Sequence, residues 1–358
     1  MSLKEYLCEL IRNNMTTEDS ILNLLKLNNE RSSSKILQGI DEKKSIATIK
    51  RALSKLINEK LIISLGKGKA TKYQISPYYN LFDDTTIEEY FDKEIDERRI
   101  ISEFNLQLIS VTLNNVDLFT NEELLKLSKL QDIYTNNIDK LSESEYKKEL
   151  ERLAIDLSWK SSQIEGNTYS LLETEQLLKE KETASGKTRE EATMLLNHKA
   201  AIDFIIEEPD YLVPLSVSKI EDIHSILTKE LNVSRNIRKH RVGISGTNYR
   251  PLDNEYQINE ALAAMCKLVN TKKSIFEKAL LTLMLTSYIQ PFVDGNKRTA
   301  RIVSNAILMN YNHCPLSFRT VDSIDYKKAM LIFYEQNNIT AFKKIFIEQF
   351  EFAVKTYF

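Results

Sequence analysis

Residues 290–301 read Q-P-F-V-D-G-N-K-R-T-A-R, which sets an acid, a glycine turn, an amide and two arginines side by side. Asp294, Gly295 and Asn296, followed by good helix formers, predict a loop running into a helix N-terminus. Unpaired backbone N–H groups and the helix dipole favour phosphate oxygens there. A hard cation such as Mg²⁺ on those phosphates would take Asp294 as an oxygen ligand, and Arg298 and Arg301 would lie on neighbouring helical faces. The letters D-G-N by themselves are more often an ordinary surface loop.

A second acidic turn lies upstream, where residues 161–167 read S-S-Q-I-E-G-N. Alone, Glu165 is equally well a solvated acid at a helix end. Together the two strings resemble the Fic family. The first fits its signature H-P-F-x-[DE]-G-N-[GK]-R-x-x-R at every position but the leading one, and the second fits its inhibitory motif [ST]-x-x-x-E-[GN]. The resemblance covers roughly residues 100–350.

The resemblance implies a protein adenylyltransferase, which moves AMP from ATP to a Ser, Thr or Tyr hydroxyl of a protein target. Asp294 would hold Mg²⁺, the amides of Gly295, Asn296 and Lys297 would bind phosphate, and Arg298 would contact the phosphates. Arg301 would grip the γ-phosphate or pair with Glu165 in an inhibitory set of Ser161, Glu165 and Gly166. A carboxylate and a phosphate compete for the same fork of guanidinium donors. The family's general-base histidine is replaced by Gln290. An amide exchanges hydrogen bonds but takes no proton near neutral pH, and losing a positioned base costs about 10²–10⁴-fold in rate. Nucleotide binding is therefore expected to survive while transfer is weak or lost.

Phe292 is expected to point inward and pin the loop. In 325–337, Tyr326 and Tyr334 are candidates to meet adenine, with core packing an equal alternative. Lys297 replaces the glycine of the strictest signature and also occurs in Doc-type phosphotransferases. Those lack the second arginine, so the presence of Arg301 ranks AMP transfer above a Doc-like phosphoryl transfer. A third reading is a nucleotide-responsive, DNA-binding regulator without transferase activity. His198 and His224 read as structural, and neither they nor His240 or His313 occupies the signature position.

Composition sets outer bounds. With 358 residues, 42% hydrophobic and 28% charged, the chain is ordinary for a globular protein of two or three domains. A net charge of −2 excludes a global attraction to nucleic acid, so such a partner would need a local patch. Cys8, Cys266 and Cys314 have no metal-ligand spacing, which suits a reduced cytoplasm. No apolar run reaches the roughly 18 residues of a membrane span.

Few glycines and prolines and a recurrent three-and-four spacing predict a mainly α protein. The expected organisation is a winged helix-turn-helix domain over 1–80, a linker over 81–98, and a Fic-type helical domain over 99–358. The last contains an inhibitory helix near 149–167 and the signature loop at 290–301. Helical segments are expected at 99–115, 121–135, 143–165, 171–184, 190–206, 216–230, 256–270, 273–289, 297–311, 323–336 and 339–356. At 241–253 the alternation around Gly243 and Gly246 predicts a short β-hairpin, which the resemblance makes a target-docking flap built on Val242, Gly243, Ile244, Ser245, Gly246 and Thr247.

In the first domain, Ser45–Lys60 puts Ile46, Ile49, Leu53, Leu56 and Ile57 on one face, and 61–76 reads as a hairpin around a G-K-G-K tip. Helix plus hairpin resembles winged-helix DNA-binding modules. From Lys43 to Lys72 nine basic residues stand against one acid, Glu59, an excess of eight. Thr48, Lys50, Arg51, Lys55, Lys67 and Lys69 are the expected DNA contacts, and a winged helix used for protein contact or dimerisation is the alternative. Expected partners are thus ATP, a protein hydroxyl, DNA and a second copy of the chain, with no membrane.

Overall fold

The computed structural model describes residues 16–27, 30–40, 44–83 and 85–358; Cys8 and Lys43 lie outside them. The chain divides into two compact units after Asp83.

The first unit holds helices α1 (Thr17–Leu27), α2 (Ser33–Gly39) and α3 (Ile46–Asn58), strands β1 (Ile62–Leu65) and β2 (Lys72–Ile75), and a short α4 (Pro77–Phe82). Ser45 starts α3 by accepting a hydrogen bond from Thr48 N at 3.1 Å. Ile49, Leu53 and Leu56 of that helix then join Ile21, Leu25, Ile36 and Ile62 in one apolar cluster. Ile46 departs from the expected apolar face and is 40% exposed, because the first turn projects beyond the cluster. The strands pair antiparallel from Ile62↔Ile75 to Leu65↔Lys72. Gly66 turns the chain at φ +79°, where an added Cβ would lie 3.0 Å from the Ala70 carbonyl oxygen.

The second unit is helical. It opens with α5 (Ile87–Phe91), followed by α6 (Asn121–Ile138), α7 (Glu143–Ile164), α8 (Leu171–Glu180), α9 (Arg189–Glu207) and α10 (Val217–Leu227). Next come α11 (Glu255–Thr271), α12 (Ile275–Ile289), α13 (Asn296–Asn310), α14 (Ser323–Gln336) and α15 (Thr340–Tyr357). Helix α12 is buried from Phe276 to Ile289 and packs along α13; α7, α9 and α10 cover α13, and α11 and α14 flank α12. A helix apolar around its whole circumference belongs at the centre, and α12 is that helix. Its Lys278 turns back to donate to the last carbonyls of α11, Val269 O at 2.8 Å and Asn270 O at 3.0 Å.

Two expected elements do not form. The helix at 99–115 shrinks to a wide π turn at Leu108–Thr112 and a 3-10 turn at Leu113–Asn115. Tertiary partners claim the backbone before it: Ile101 N donates to Glu335 O, Arg250 N to Ser102 O, and Asn105 N to the Tyr288 hydroxyl. The expected hairpin at 241–253 has no ladder and is an open turn at Ser245–Gly246. Its second arm is tied elsewhere, since Arg250 bridges to Glu103 and the Tyr249 hydroxyl donates to Tyr288 O at 3.0 Å. Among the described residues no helix is long and apolar enough to cross a membrane.

Candidate functional site

The loop between α12 and α13 is shaped by its sequence. Pro291 disfavours the helical region for the residue before it, and Gln290 leaves α12 in the left-handed conformation at φ 51°. Arg238 secures that exit by donating from Nε to Gln290 O at 2.6 Å. Asn296 closes the loop from the other side. Its Oδ1 accepts from Phe292 N at 2.8 Å, and its Nδ2 donates to Phe292 O and to Gln290 Oε1, both at 2.9 Å. Phe292 is fully buried and stacks on the His224 ring at 3.6 Å, while His224 Nε2 donates to Asp294 O at 2.9 Å. Gly295 sits at φ +80°, where a Cβ would reach 3.4 Å from the His224 ring and from Thr228. Glycine meets both demands without strain.

The result is a helix start with free donors. Thr299 N is the first α13 amide bonded back to the loop, at Gly295 O, and Gly295 supplies no side-chain cap. The amides ahead of it border a cleft of about 400 Å³ lined by Ile164, Glu165, Gly243–Ser245, Gln290, Val293–Lys297, Lys327, Met330, Leu331 and Tyr334.

Most charge around the cleft is paired. Arg298 Nη2 contacts Asp294 Oδ2 at 2.8 Å, with the arginine buried and the aspartate 62% exposed. Arg301, fully buried, donates from Nε to Ser161 Oγ at 2.8 Å and from Nη2 to Ser161 O at 3.0 Å and Glu165 Oε1 at 2.9 Å. Lys297 Nζ lies 3.5 Å from the other Glu165 oxygen. Ser161 Oγ is also 2.6 Å from His198 Nε2. Burial pushes the Glu165 carboxyl up, but Arg301 and Lys297 together outweigh it and hold the group below its ordinary value. Burial, reinforced by Arg301 and Arg298, drives His198 far down, so it is neutral beside Ser161.

The structure therefore gathers Glu165, Gln290, Asp294, Gly295, Asn296, Lys297 and Tyr334 at one cleft, with Ser161, Arg298 and Arg301 behind its wall. Gly166 turns the chain after Glu165 at φ 101°. Tyr326 corrects the sequence expectation. Its ring lies beneath Arg301, 5.3 Å from the guanidinium carbon, and packs edge-on to Phe318 and Phe342 in the core, away from the cleft lining. Of the flap residues, Gly243, Ile244 and Ser245 line the cleft, while Val242, Gly246 and Thr247 do not. Sequence reasoning missed Lys327, Met330 and Leu331, although with Tyr334 they follow the i, i+3, i+4, i+7 spacing of one helical face.

Among the described residues no group of three acidic, histidine or cysteine side chains gathers for a metal. A single exposed carboxylate beside a row of free amides nonetheless fits Mg²⁺ that arrives on phosphates and keeps most of its waters.

Residues 214–308 match the Fic/DOC family. Over that stretch the chain resembles a Fic/DOC domain. It is 30% identical over 182 residues to "Protein adenylyltransferase Fic" of Nematostella vectensis, a match spanning 46% of this chain and 40% of that protein. It is 24% identical over 176 residues to "Protein adenylyltransferase fic-1" of Caenorhabditis elegans, spanning 47% and 34%. The matches thus cover less than half the length of these relatives. The solved Fic-1 of C. elegans superposes with a TM-score of 0.56 at 15% identity, over 95% of this chain and 97% of that one. A Fic domain containing signaling protein from Bacteroides thetaiotaomicron gives 0.53 at 18%, over 64% and 94%. At such identities the likeness is one of fold, and the matched residues 214–308 take in α12 and most of α13.

The depressed Glu165 titration fixes the sign of a pH effect. The ion pair contributes stability above the ordinary carboxylate value of about 4.3 and loses it only as pH falls through the lower, folded-state value. Glu165→Gln is expected to melt below the parent near neutral pH, with the gap closing only once pH drops beneath about 4. A gap in melting temperature that closes already in mildly acidic buffer contradicts this.

Proposed function

We propose that the Fic domain is a protein adenylyltransferase scaffold that binds ATP on the free amides of α13, is restrained by Glu165, and is impaired in transfer by Gln290. The observation that carries this reading is the occupation of the Arg301 donors by Ser161 and Glu165. A triphosphate entering the cleft meets the amides of Gly295, Asn296 and Lys297 and the Lys297 ammonium, but its terminal phosphate must displace a carboxylate to reach Arg301. Asp294 would hold Mg²⁺, which supplies charge neutralisation on the phosphates.

In the transfer, a target hydroxyl oxygen attacks the α-phosphorus, the bond to the β-phosphate oxygen breaks, pyrophosphate leaves, and the hydroxyl proton needs an acceptor. Gln290 offers none. Its Nε2 donates to Ser287 O at 2.6 Å and its Oε1 is taken by Asn296, so the amide serves the loop rather than the reaction. The same engagement favours a second reading, a nucleotide-responsive regulator that transfers nothing. A Doc-like phosphoryl transfer ranks below both, because Arg301 is present.

Incubation of the parent chain, Gln290→His, Glu165→Gly and the double variant with α-labelled ATP separates these readings. The double variant is expected to incorporate label about 10²–10⁴ times faster than the parent. Label in the parent at the level of the double variant contradicts impairment; none in the double variant favours the regulator; label from γ-labelled ATP alone favours phosphoryl transfer.

For the first unit we propose a winged-helix contact with DNA. Lys50 and Arg51 stand exposed on α3 and Lys67 at the hairpin tip, opposite the apolar cluster, although Lys55 is drawn to Glu18 at 3.2 Å. Retention on duplex DNA is expected to weaken steeply with salt and to vanish in Lys50→Glu/Arg51→Glu/Lys67→Glu. Retention unchanged in that variant overturns the assignment. Buried free thiols at Cys266 and Cys314 suit a reducing compartment such as the cytoplasm.

A further inference from the structure

The cleft has one wall with no ladder of its own, the turn that contributes Gly243, Ile244 and Ser245. A segment of that kind needs support from outside its own backbone. It comes from residues before the first long helix of the unit. Arg98 Nη2 donates to Gly246 O at 2.8 Å, while Nη1 faces Glu335 Oε1 of α14 at 3.3 Å as a charge contact. Both side chains are sealed, 3% and 0% exposed. The guanidinium carbon lies 5.1 Å from the Phe91 ring centre and 5.8 Å from that of Tyr90. The Tyr90 hydroxyl donates to the other Glu335 oxygen at 2.5 Å. A second, exposed tie runs alongside, from Asn248 Nδ2 to Asp96 Oδ1 at 3.2 Å.

Burying an arginine and a glutamate costs desolvation that their mutual attraction barely offsets, so such a pair is weak as a source of stability and better suited to fixing a geometry. The geometry fixed here is legible. Gly246 lies at φ +85°, and an ideal Cβ on it would sit 3.6 Å from Leu331, so the turn rests against α14. That same helix supplies Lys327, Met330, Leu331 and Tyr334 to the opposite side of the cleft. Glu335 orients Arg98, Arg98 holds the Gly246 carbonyl, and the spacing between the two walls follows.

We infer that Arg98 is a positioning residue, which sets the Gly243–Ser245 wall of the cleft by clamping the Gly246 carbonyl to Glu335 of α14. On the transferase reading, on which this part of the inference rests, that wall receives the acceptor segment of the protein target. Arg98 then governs the turnover of transfer rather than the hold on ATP.

Hydrogen exchange on the full chain tests the clamp without any activity. In Arg98→Met, which keeps bulk between the two rings, amides of 243–249 are expected to exchange about tenfold faster or more, while those of α12 keep their rates. Unchanged exchange at 243–249, or equal acceleration in α12, overturns the inference. Should that variant fail to fold, Arg98→Lys serves: its single ammonium cannot span both Glu335 and Gly246 O, so a smaller acceleration confined to the turn is expected, and none overturns the inference. In the Gln290→His/Glu165→Gly background with α-labelled ATP, Arg98→Met is expected to lower kcat about tenfold with KM for ATP unchanged. A rise in KM for ATP at constant kcat contradicts the positioning role. Absence of label in that background without the Arg98 change sinks the transferase reading while leaving the exchange result standing.

Discussion

The structure turns on how a chain is made to reverse between two buried helices without closing off the amides at the start of the second. Helix α12 is buried along its length and α13 nearly so, so the loop joining them has little freedom. Asn296 resolves the conflict: one amide side chain satisfies both backbone groups of Phe292 and the Gln290 side chain. The backbone donors of the next turn are thereby left facing the cleft. His224 and Phe292 form the floor, and Gly295, lacking a Cβ, takes the left-handed turn above it without strain.

On that frame, electrostatics decides what the cleft does. Arg301 is a fully buried cation with donors directed at Ser161 and Glu165, and a buried guanidinium without partners would be costly. On the proposed reading, restraint by Glu165 and phosphate binding would be alternative solutions to the same desolvation problem. Burial raises the Glu165 carboxyl, but Arg301 and Lys297 hold it below its ordinary value, so on the proposed reading the restrained arrangement is the resting one. Ser161 extends the network inward to a neutral His198, which makes the serine part of the same clasp.

Much of this was legible in the residues. The spacing of Asp294, Gly295, Asn296, Arg298 and Arg301 announced a helix start with cations behind it, and most helices fell within a few residues of their apolar period. The failures share a cause. At 99–105 and 241–250 the backbone bonds to distant segments, Glu335, Tyr288 and Ser102–Glu103, and no local pattern encodes such partners. Tyr326 was left open between cleft and core because an aromatic on a pocket-lining helix can face either way, and here it takes the core and supports Arg301 from beneath. Arg98 sat in an acidic stretch that read as a linker; only the fold reveals that it is buried against Glu335.

The claim on which the account stands is that Glu165 and a triphosphate compete for one set of donors at the start of α13. Calorimetric titration of the parent chain and of Glu165→Gly with a non-hydrolysable ATP analogue and Mg²⁺ tests it most directly. Binding about tenfold tighter or more in Glu165→Gly is predicted, since a displaced charged hydrogen bond is worth about 1.5–3 kcal/mol. Equal affinity in the two proteins, or no binding to either, contradicts it.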